Sequence, residues 1–90
     1  MEIKGEKLAQ ILKEKGWNFR ECPFCGNRDI GAEYQSRGMN SGKDAPCTMI
    51  AKVWGYCRYC GAKGRTAMVE VIGEDELVAA AVEKWNYRTA

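Results

Sequence analysis

The amino-acid sequence predicts a small α+β domain built around one metal site, and three observations lead to this prediction. The pattern Cys-x-x-Cys-Gly occurs twice, at residues 22–26 and 57–61. Between and after these stretches, apolar and polar residues alternate as they do in β-strands. Both ends of the chain carry apolar residues at helical spacing. A chain of 90 residues forms one small domain with a marginal core, which a bound metal would reinforce.

The two Cys-x-x-Cys-Gly stretches, named here the first and second knuckle, predict a single site of four sulfur ligands. Two cysteines of one tight turn reach adjacent corners of a tetrahedron, which is the geometry of zinc bound to four thiolates. The glycine that ends each knuckle can adopt a positive φ and so turn backbone N–H groups toward the sulfurs. The alternative is four ordinary buried or redox-active cysteines. We expect one structural Zn²⁺ bound by Cys22, Cys25, Cys57 and Cys60.

The apolar pattern also predicts the order of the secondary structure. In chain order we expect a helix over residues 4–15, a strand from residue 30, a strand over residues 48–56, a strand over residues 67–71 and a helix over residues 74–87. This is a zinc ribbon with a three-stranded antiparallel sheet, a C-terminal helix and an added N-terminal helix. We divide the chain into a helical extension, residues 1–19, and the ribbon with its last helix, residues 20–90.

Four further features have predicted structural roles. Residues 36–46 are expected to form a loop, which is long for a hairpin. Cys47 is left over from the metal site and is expected to be a small buried hydrophobe, with an alternative metal ligand or a reactive thiol as the other interpretations. Trp85 is expected to anchor the core. Residues 77–82 are apolar around much of the last helix, so a second packing partner is needed, either the first helix or a second copy of the chain.

Composition bounds the location of the protein. The chain has five cysteines and no histidine, so a cysteine-rich metal site must be all sulfur and needs a reducing compartment. The first residues do not resemble a signal peptide, and no stretch has the length of a membrane span. We therefore expect a soluble cytoplasmic protein that does not act at a membrane.

The charge and the residue types argue against some functions and leave others open. The formal net charge of +2 falls to about 0 once four thiolates bind one Zn²⁺. An enzyme is not expected, because there is no histidine base and zinc with four sulfur ligands has no open position for water. Nucleic acid is a candidate partner, since basic and aromatic residues cluster near the second knuckle; an ordinary solvated hairpin is the alternative. The basic residues concerned are Arg58, Lys63 and Arg65, with Arg37 and Lys43, and the aromatic residues are Tyr59, Tyr34, Trp54 and Tyr56.

Three stretches together resemble a known family. They are Cys-Pro-Phe-Cys-Gly at residues 22–26, the second knuckle with Ala62, and Ala-Val-Glu-Lys-Trp-Asn-Tyr-Arg at residues 81–88. Over residues 22–88 the chain resembles the restriction-alleviation protein Lar family, small zinc ribbons of phages and prophages. The terminal Trp-Asn-x-Arg is the most specific part of the resemblance. Asn86 and Arg88 are candidates either for capping the helix and gripping the sheet or for contacting a partner.

The resemblance implies a non-enzymatic regulator of host–virus interaction. Such a protein weakens the cleavage of unmodified DNA by a host type I restriction enzyme, and we expect it to bind a host protein or a protein–DNA complex. Two other functions remain open: a nucleic-acid-binding regulator of transcription or translation, and an iron-bound electron carrier of rubredoxin type. The sequence leaves the choice between a monomer and a homodimer open.

Overall fold

The computed structural model describes residues 1–40 and 47–87, which form a small α+β domain. Its three strands lie in one antiparallel sheet with the order β1-β2-β3, so each strand pairs with its neighbour in the chain. This confirms the three-stranded antiparallel sheet and the two helices that the apolar pattern predicts. The elements are α1 (Gly5–Lys15), β1 (Ile30–Asn40), β2 (Thr48–Cys57), β3 (Ala67–Val71) and α2 (Glu74–Asn86).

The two helices begin and end where the sequence predicts. Gly16 follows α1 with a left-handed φ of 70°, a conformation that glycine adopts without steric cost, and it turns the chain away from the helix axis. At α2 three acidic residues occupy the first turn, where they favour the positive end of the helix dipole. Neither helix in the described ranges combines the length and the apolarity that crossing a membrane requires.

The main core lies between the two helices and one face of the sheet. Alternate residues of β2 point into it, and Ala51 and Val53 are fully buried there. The helix α2 covers this face of the sheet, and α1 packs beside α2 in the same apolar cluster. The prediction that α2 needs a second packing partner is therefore confirmed, and α1 is that partner. The buried helical residues are Leu8, Ile11, Leu77, Val78, Ala81 and Val82.

The segment before α1 extends the sheet along the free edge of β1. The N–H of Ile3 donates to the carbonyl of Ala32 at 3.0 Å, and the N–H of Tyr34 donates to the carbonyl of Met1 at 2.8 Å. The side chain of Ile3 is 1% exposed and belongs to the main core. Residues 1–19 thus contribute to the same core as the sheet, and the division of the chain at residue 20 stays a prediction.

Two predictions for the hairpin between the knuckles are wrong. Residues 36–40 continue β1 past an irregularity between Ser36 and Gly38, so the predicted loop does not begin at residue 36. Its remaining part, residues 41–46, lies outside the described residues. Cys47 is exposed, not buried. The reason is that Cys47 precedes β2 at the end of the hairpin far from the knuckles, just beyond Met49, the residue that pairs with the last residue of β3; Met39, which pairs with Met49, is also exposed.

Candidate metal centre

The four knuckle cysteines converge at one end of the sheet. Their sulfurs all lie within 4.8 Å of one another. The Sγ atoms of Cys22 and Cys60 are 3.5 Å apart, as are those of Cys25 and Cys57. A tetrahedral metal with metal–sulfur bonds of about 2.3 Å has sulfur–sulfur edges of about 3.8 Å. The spacing fits a four-sulfur metal site and is far longer than the ~2.05 Å of a disulfide.

The two knuckles have the same backbone geometry. In the first, the N–H of Cys22 donates to Asn27 and the N–H of Gly26 donates back to Cys22. In the second, the N–H of Cys57 donates to the carbonyl of Ala62, and the N–H of Gly61 donates to the carbonyl of Cys57. All four N···O distances lie between 2.8 and 3.0 Å. Gly26 and Gly61 have φ values of 75° and 79°, which confirms the predicted left-handed glycines. The Sγ of Cys57 also accepts a bond from the N–H of Cys60 at 3.5 Å.

The pKa values of the metal-free thiols are split by these surroundings. Burial acts to raise the pKa of Cys22, but backbone N–H groups, that of Cys25 first, outweigh it and lower the pKa to about 6. The N–H of Cys60 lowers the pKa of Cys57. At Cys25 the N–H of Asn27 favours the thiolate, yet burial and the neighbouring sulfurs raise the pKa to about 12. The surroundings therefore favour the thiolate at one sulfur of each knuckle, and a bound cation would favour it at all four.

A second, smaller apolar core packs against the candidate metal centre and includes two of its cysteines. It consists of Cys22, Ile30, Cys57 and Trp85, all buried, with Phe19 packed against it. The indole of Trp85 lies so close to the backbone that a Cβ at residue 64 would approach it to 2.8 Å and one at residue 55 to 3.3 Å. Glycines at these two positions leave room for the indole, which packs in the same cluster as Cys22 and Cys57. Trp85 is 6% exposed, so its predicted role as a core anchor is confirmed.

The end of α2 holds the segment that leads into the first knuckle. The indole N–H of Trp85 donates to the carbonyl of Arg20 at 2.7 Å. The amide of Asn86 accepts from the N–H of Arg20 and donates to the carbonyl of Asn18, both at 2.7 Å. We name these three bonds the α2 clamp. Asn86 therefore grips neither the helix end nor the sheet, and instead fixes a segment without regular structure. Arg88 lies outside the described residues.

Arg58 of the second knuckle contacts two acidic side chains. Its guanidinium lies 3.2 Å from Glu2 and 3.4 Å from Asp29, and it lies over the ring of Tyr56 at 5.8 Å from the centroid. The hydroxyl of Tyr56 donates to the same Glu2 carboxylate. Desolvation, followed by this bond, raises the pKa of Tyr56 to about 12. Arg58 thus joins the start of the chain to the region of the metal centre.

The remaining predicted partner residues lie on the surface. Tyr59 is 78% exposed at the tip of the second knuckle. The Nζ of Lys63 lies 4.0 Å from the ring centroid of Trp54, and the guanidinium of Arg65 lies 4.9 Å from that of Tyr87. Of the aromatic residues predicted to be available for stacking, Tyr34 packs partly against the main core.

Sequence reasoning missed two exposed aromatic residues, Phe24 and Tyr87. Phe24 is 81% exposed and occupies the same place in the first knuckle as Tyr59 in the second. A signal was present in the sequence, because the third residue of a Cys-x-x-Cys turn points away from the metal and is aromatic in both knuckles. Phe24 lines a cleft with Lys63, Arg65 and the end of α2.

Comparison with known proteins found no matching family model, no matching curated protein and no matching solved structure. The fold and the site together define a small α+β domain with a candidate four-cysteine metal centre, an arrangement consistent with a zinc ribbon. The resemblance to the restriction-alleviation protein Lar family stays a prediction.

Proposed function

We propose that the protein is a non-enzymatic regulator whose knuckles are held by one structural zinc ion. The observation that carries the zinc assignment is the convergence of four cysteine sulfurs within 4.8 Å. Four thiolates and no histidine or carboxylate are the ligand set of structural zinc sites. Because the four sulfurs fill a tetrahedron, such an ion has no open position at which water could be activated.

The form of regulation that we propose is the alleviation of type I restriction through a host protein or protein–DNA complex. Support comes from the stretches that resemble the Lar family and from their positions in this fold. The knuckles form the candidate metal centre, and Trp85 and Asn86 of the terminal motif form the α2 clamp. The terminal motif thus supports the first knuckle, because its Trp85 and Asn86 bind the segment that leads into it.

The zinc assignment is tested by measuring metal content. The protein purified under reducing conditions is expected to hold one zinc per chain, and Cys25→Ser with Cys60→Ser is expected to hold none. Cys47→Ser is the matched control, because this cysteine lies outside the cluster. Iron in place of zinc, or a metal content that Cys47→Ser abolishes, would overturn the assignment.

The regulatory role is tested in a host that carries a type I restriction system. Expression of the wild-type protein is expected to raise the plating efficiency of unmodified phage on that host and to leave plating on a restriction-deficient host unchanged. The double cysteine variant is expected to have no effect. Unchanged plating with folded, zinc-loaded protein present would refute restriction alleviation while leaving the zinc assignment intact.

A further inference from the structure

A basic cleft lies between the first knuckle, the segment after the second knuckle and the end of α2. Its volume is about 180 Å³, which is below the range of pockets for drug-sized ligands. We name it the knuckle cleft. The residues used below are Phe24, Lys63, Arg65, Lys84, Trp85 and Tyr87. They come from three separate parts of the chain, and the metal centre and the α2 clamp bring those parts together.

The charge of the knuckle cleft has one sign. Lys63, Arg65 and Lys84 line it, and no acidic side chain among the described residues does so. None of the three cations forms an ion pair with a described residue, in contrast to Arg58, which forms two. Three cations gathered without counter-charges attract an anionic ligand. The chain as a whole is near neutral once zinc is bound, so this attraction is local.

The cleft also exposes aromatic rings beside the cations. Phe24 is 81% exposed and Tyr87 is 58% exposed, values that are high for side chains of this size. The ring of Phe24 has no partner in either apolar cluster of the described residues. A ring that is exposed beside three cations offers a surface on which a flat, apolar group of an anionic ligand can stack.

We propose that the knuckle cleft binds single-stranded nucleic acid. Phosphates contact Lys63, Arg65 and Lys84, and one base stacks on Phe24. Cations that follow a backbone together with an aromatic ring that stacks a base are the general features of single-strand binding. An acidic peptide satisfies the cations but gives the exposed ring nothing to stack on. The proposal depends on the zinc-held knuckles, and it does not depend on restriction alleviation.

The binding test uses the zinc-loaded full chain and a fluorescent oligonucleotide of about 12 nucleotides, in DNA and RNA forms, with anisotropy as the readout. We expect micromolar binding at low salt. Three phosphate contacts predict a slope of log K against log salt of about −2 between roughly 50 and 200 mM. A duplex of the same length and a polyglutamate peptide of equal charge are expected to bind more weakly.

Two sets of variants locate the site. Lys63→Gln with Arg65→Gln is expected to reduce the salt slope by about 1.4, whereas Lys7→Gln with Lys13→Gln on α1, which removes equal charge, leaves it unchanged. Phe24→Ala is expected to weaken binding by at least about fivefold. Tyr59→Ala separates this cleft from the interface that the sequence predicts around the second knuckle. Only that interface predicts that Tyr59→Ala weakens binding as much as Phe24→Ala does.

Zinc content and thermal unfolding are measured for every variant, so that a loss of binding is not confused with a loss of folding. If a variant loses its zinc, Lys84→Gln is tested in its place. Equal effects of Phe24→Ala and Tyr59→Ala, equal or tighter binding of polyglutamate or duplex, or no binding to single strands would overturn the proposal. A zinc-loaded protein that binds no single strand refutes the proposal alone. A protein without zinc refutes the proposed metal centre, whatever its affinity for nucleic acid.

Discussion

The first and second knuckles share a local structure but differ in how the rest of the molecule supports them. Both have the same pair of backbone hydrogen bonds, a left-handed glycine, one buried cysteine and one exposed cysteine. The second continues β2 directly, because Cys57 pairs with Ile30 in the sheet. The chain then returns over β2, where the N–H of Gly64 donates to Gly55 at 2.8 Å.

The first knuckle has no such support from regular structure. Residues 17–29 form neither helix nor strand. The segment before the knuckle is held by the α2 clamp. The segment after it is held by Arg58, whose N–H donates to the carbonyl of Asp29 at 3.0 Å and whose guanidinium pairs with the Asp29 carboxylate. The comparison shows that a repeated motif fixes its own turn, whereas its position in the molecule depends on residues outside the repeat.

Metal removal is expected to have the largest effect and to separate the two knuckles. Structural zinc contributes about 10 to 16 kcal/mol of apparent binding free energy in finger peptides. Without it, residues 18–29 are expected to lose protection from amide exchange well before residues 57–64, which stay paired with β2. Hydrogen exchange with and without a chelator measures this difference. Equal loss of protection in both knuckles would show that the sheet does not hold the second one independently.

Asn86→Ala is expected to have an intermediate effect, confined to the first knuckle. It removes two hydrogen bonds of the α2 clamp, for an expected loss of about 1 to 3 kcal/mol in the free energy of unfolding. Chemical denaturation of the zinc-loaded protein measures the loss, and hydrogen exchange locates it. Glu83→Ala, an exposed change on the same helix, is the control and is expected to stay within about 0.5 kcal/mol of wild type.

Arg58→Gln is expected to have the smallest effect. Its ion pairs with Glu2 and Asp29 are partly exposed, so their loss is worth at most about 1 kcal/mol and shrinks as salt rises. Denaturation at low and high salt measures this, with Lys13→Gln as a control of equal charge. If Arg58→Gln destabilises the protein more than Asn86→Ala does, the second knuckle depends on its long-range contacts more than the first, and the comparison is reversed.

Much of the fold and the metal ligands follow from local sequence patterns. The helix over residues 4–15, the strands that begin near residues 30, 48 and 67, and the last helix were all predictable, because each depends on neighbouring residues. The clustering of the four cysteine sulfurs was also predictable, since each Cys-x-x-Cys fixes two sulfurs within one turn and a shared metal site requires the two turns to meet. The positive φ of Gly26 and Gly61 was predictable from the geometry of the Cys-x-x-Cys-Gly turn alone.

Contacts between distant parts of the chain were not predictable. Nothing near Ile3 in the sequence shows that it pairs with Ala32, and nothing near Asn86 shows that its amide spans to Asn18 and Arg20. The exposure of Cys47 depends on where the sheet ends, because Cys47 lies just beyond the pairing of Met49 with Val71. Such features depend on how distant segments pack together, and a local sequence pattern gives no information about that packing.

The α2 clamp has a consequence for folding during synthesis on the ribosome. The four cysteines of the candidate metal centre are available to a metal once residue 60 has emerged, since Cys60 is the last of them. The bonds to residues 18–20 cannot form until Trp85 and Asn86 have emerged, so they span 65 to 68 residues. The nascent chain would therefore bind the proposed zinc ion early, but the segment that leads to Cys22 and Cys25 is fixed only after α2 has been made.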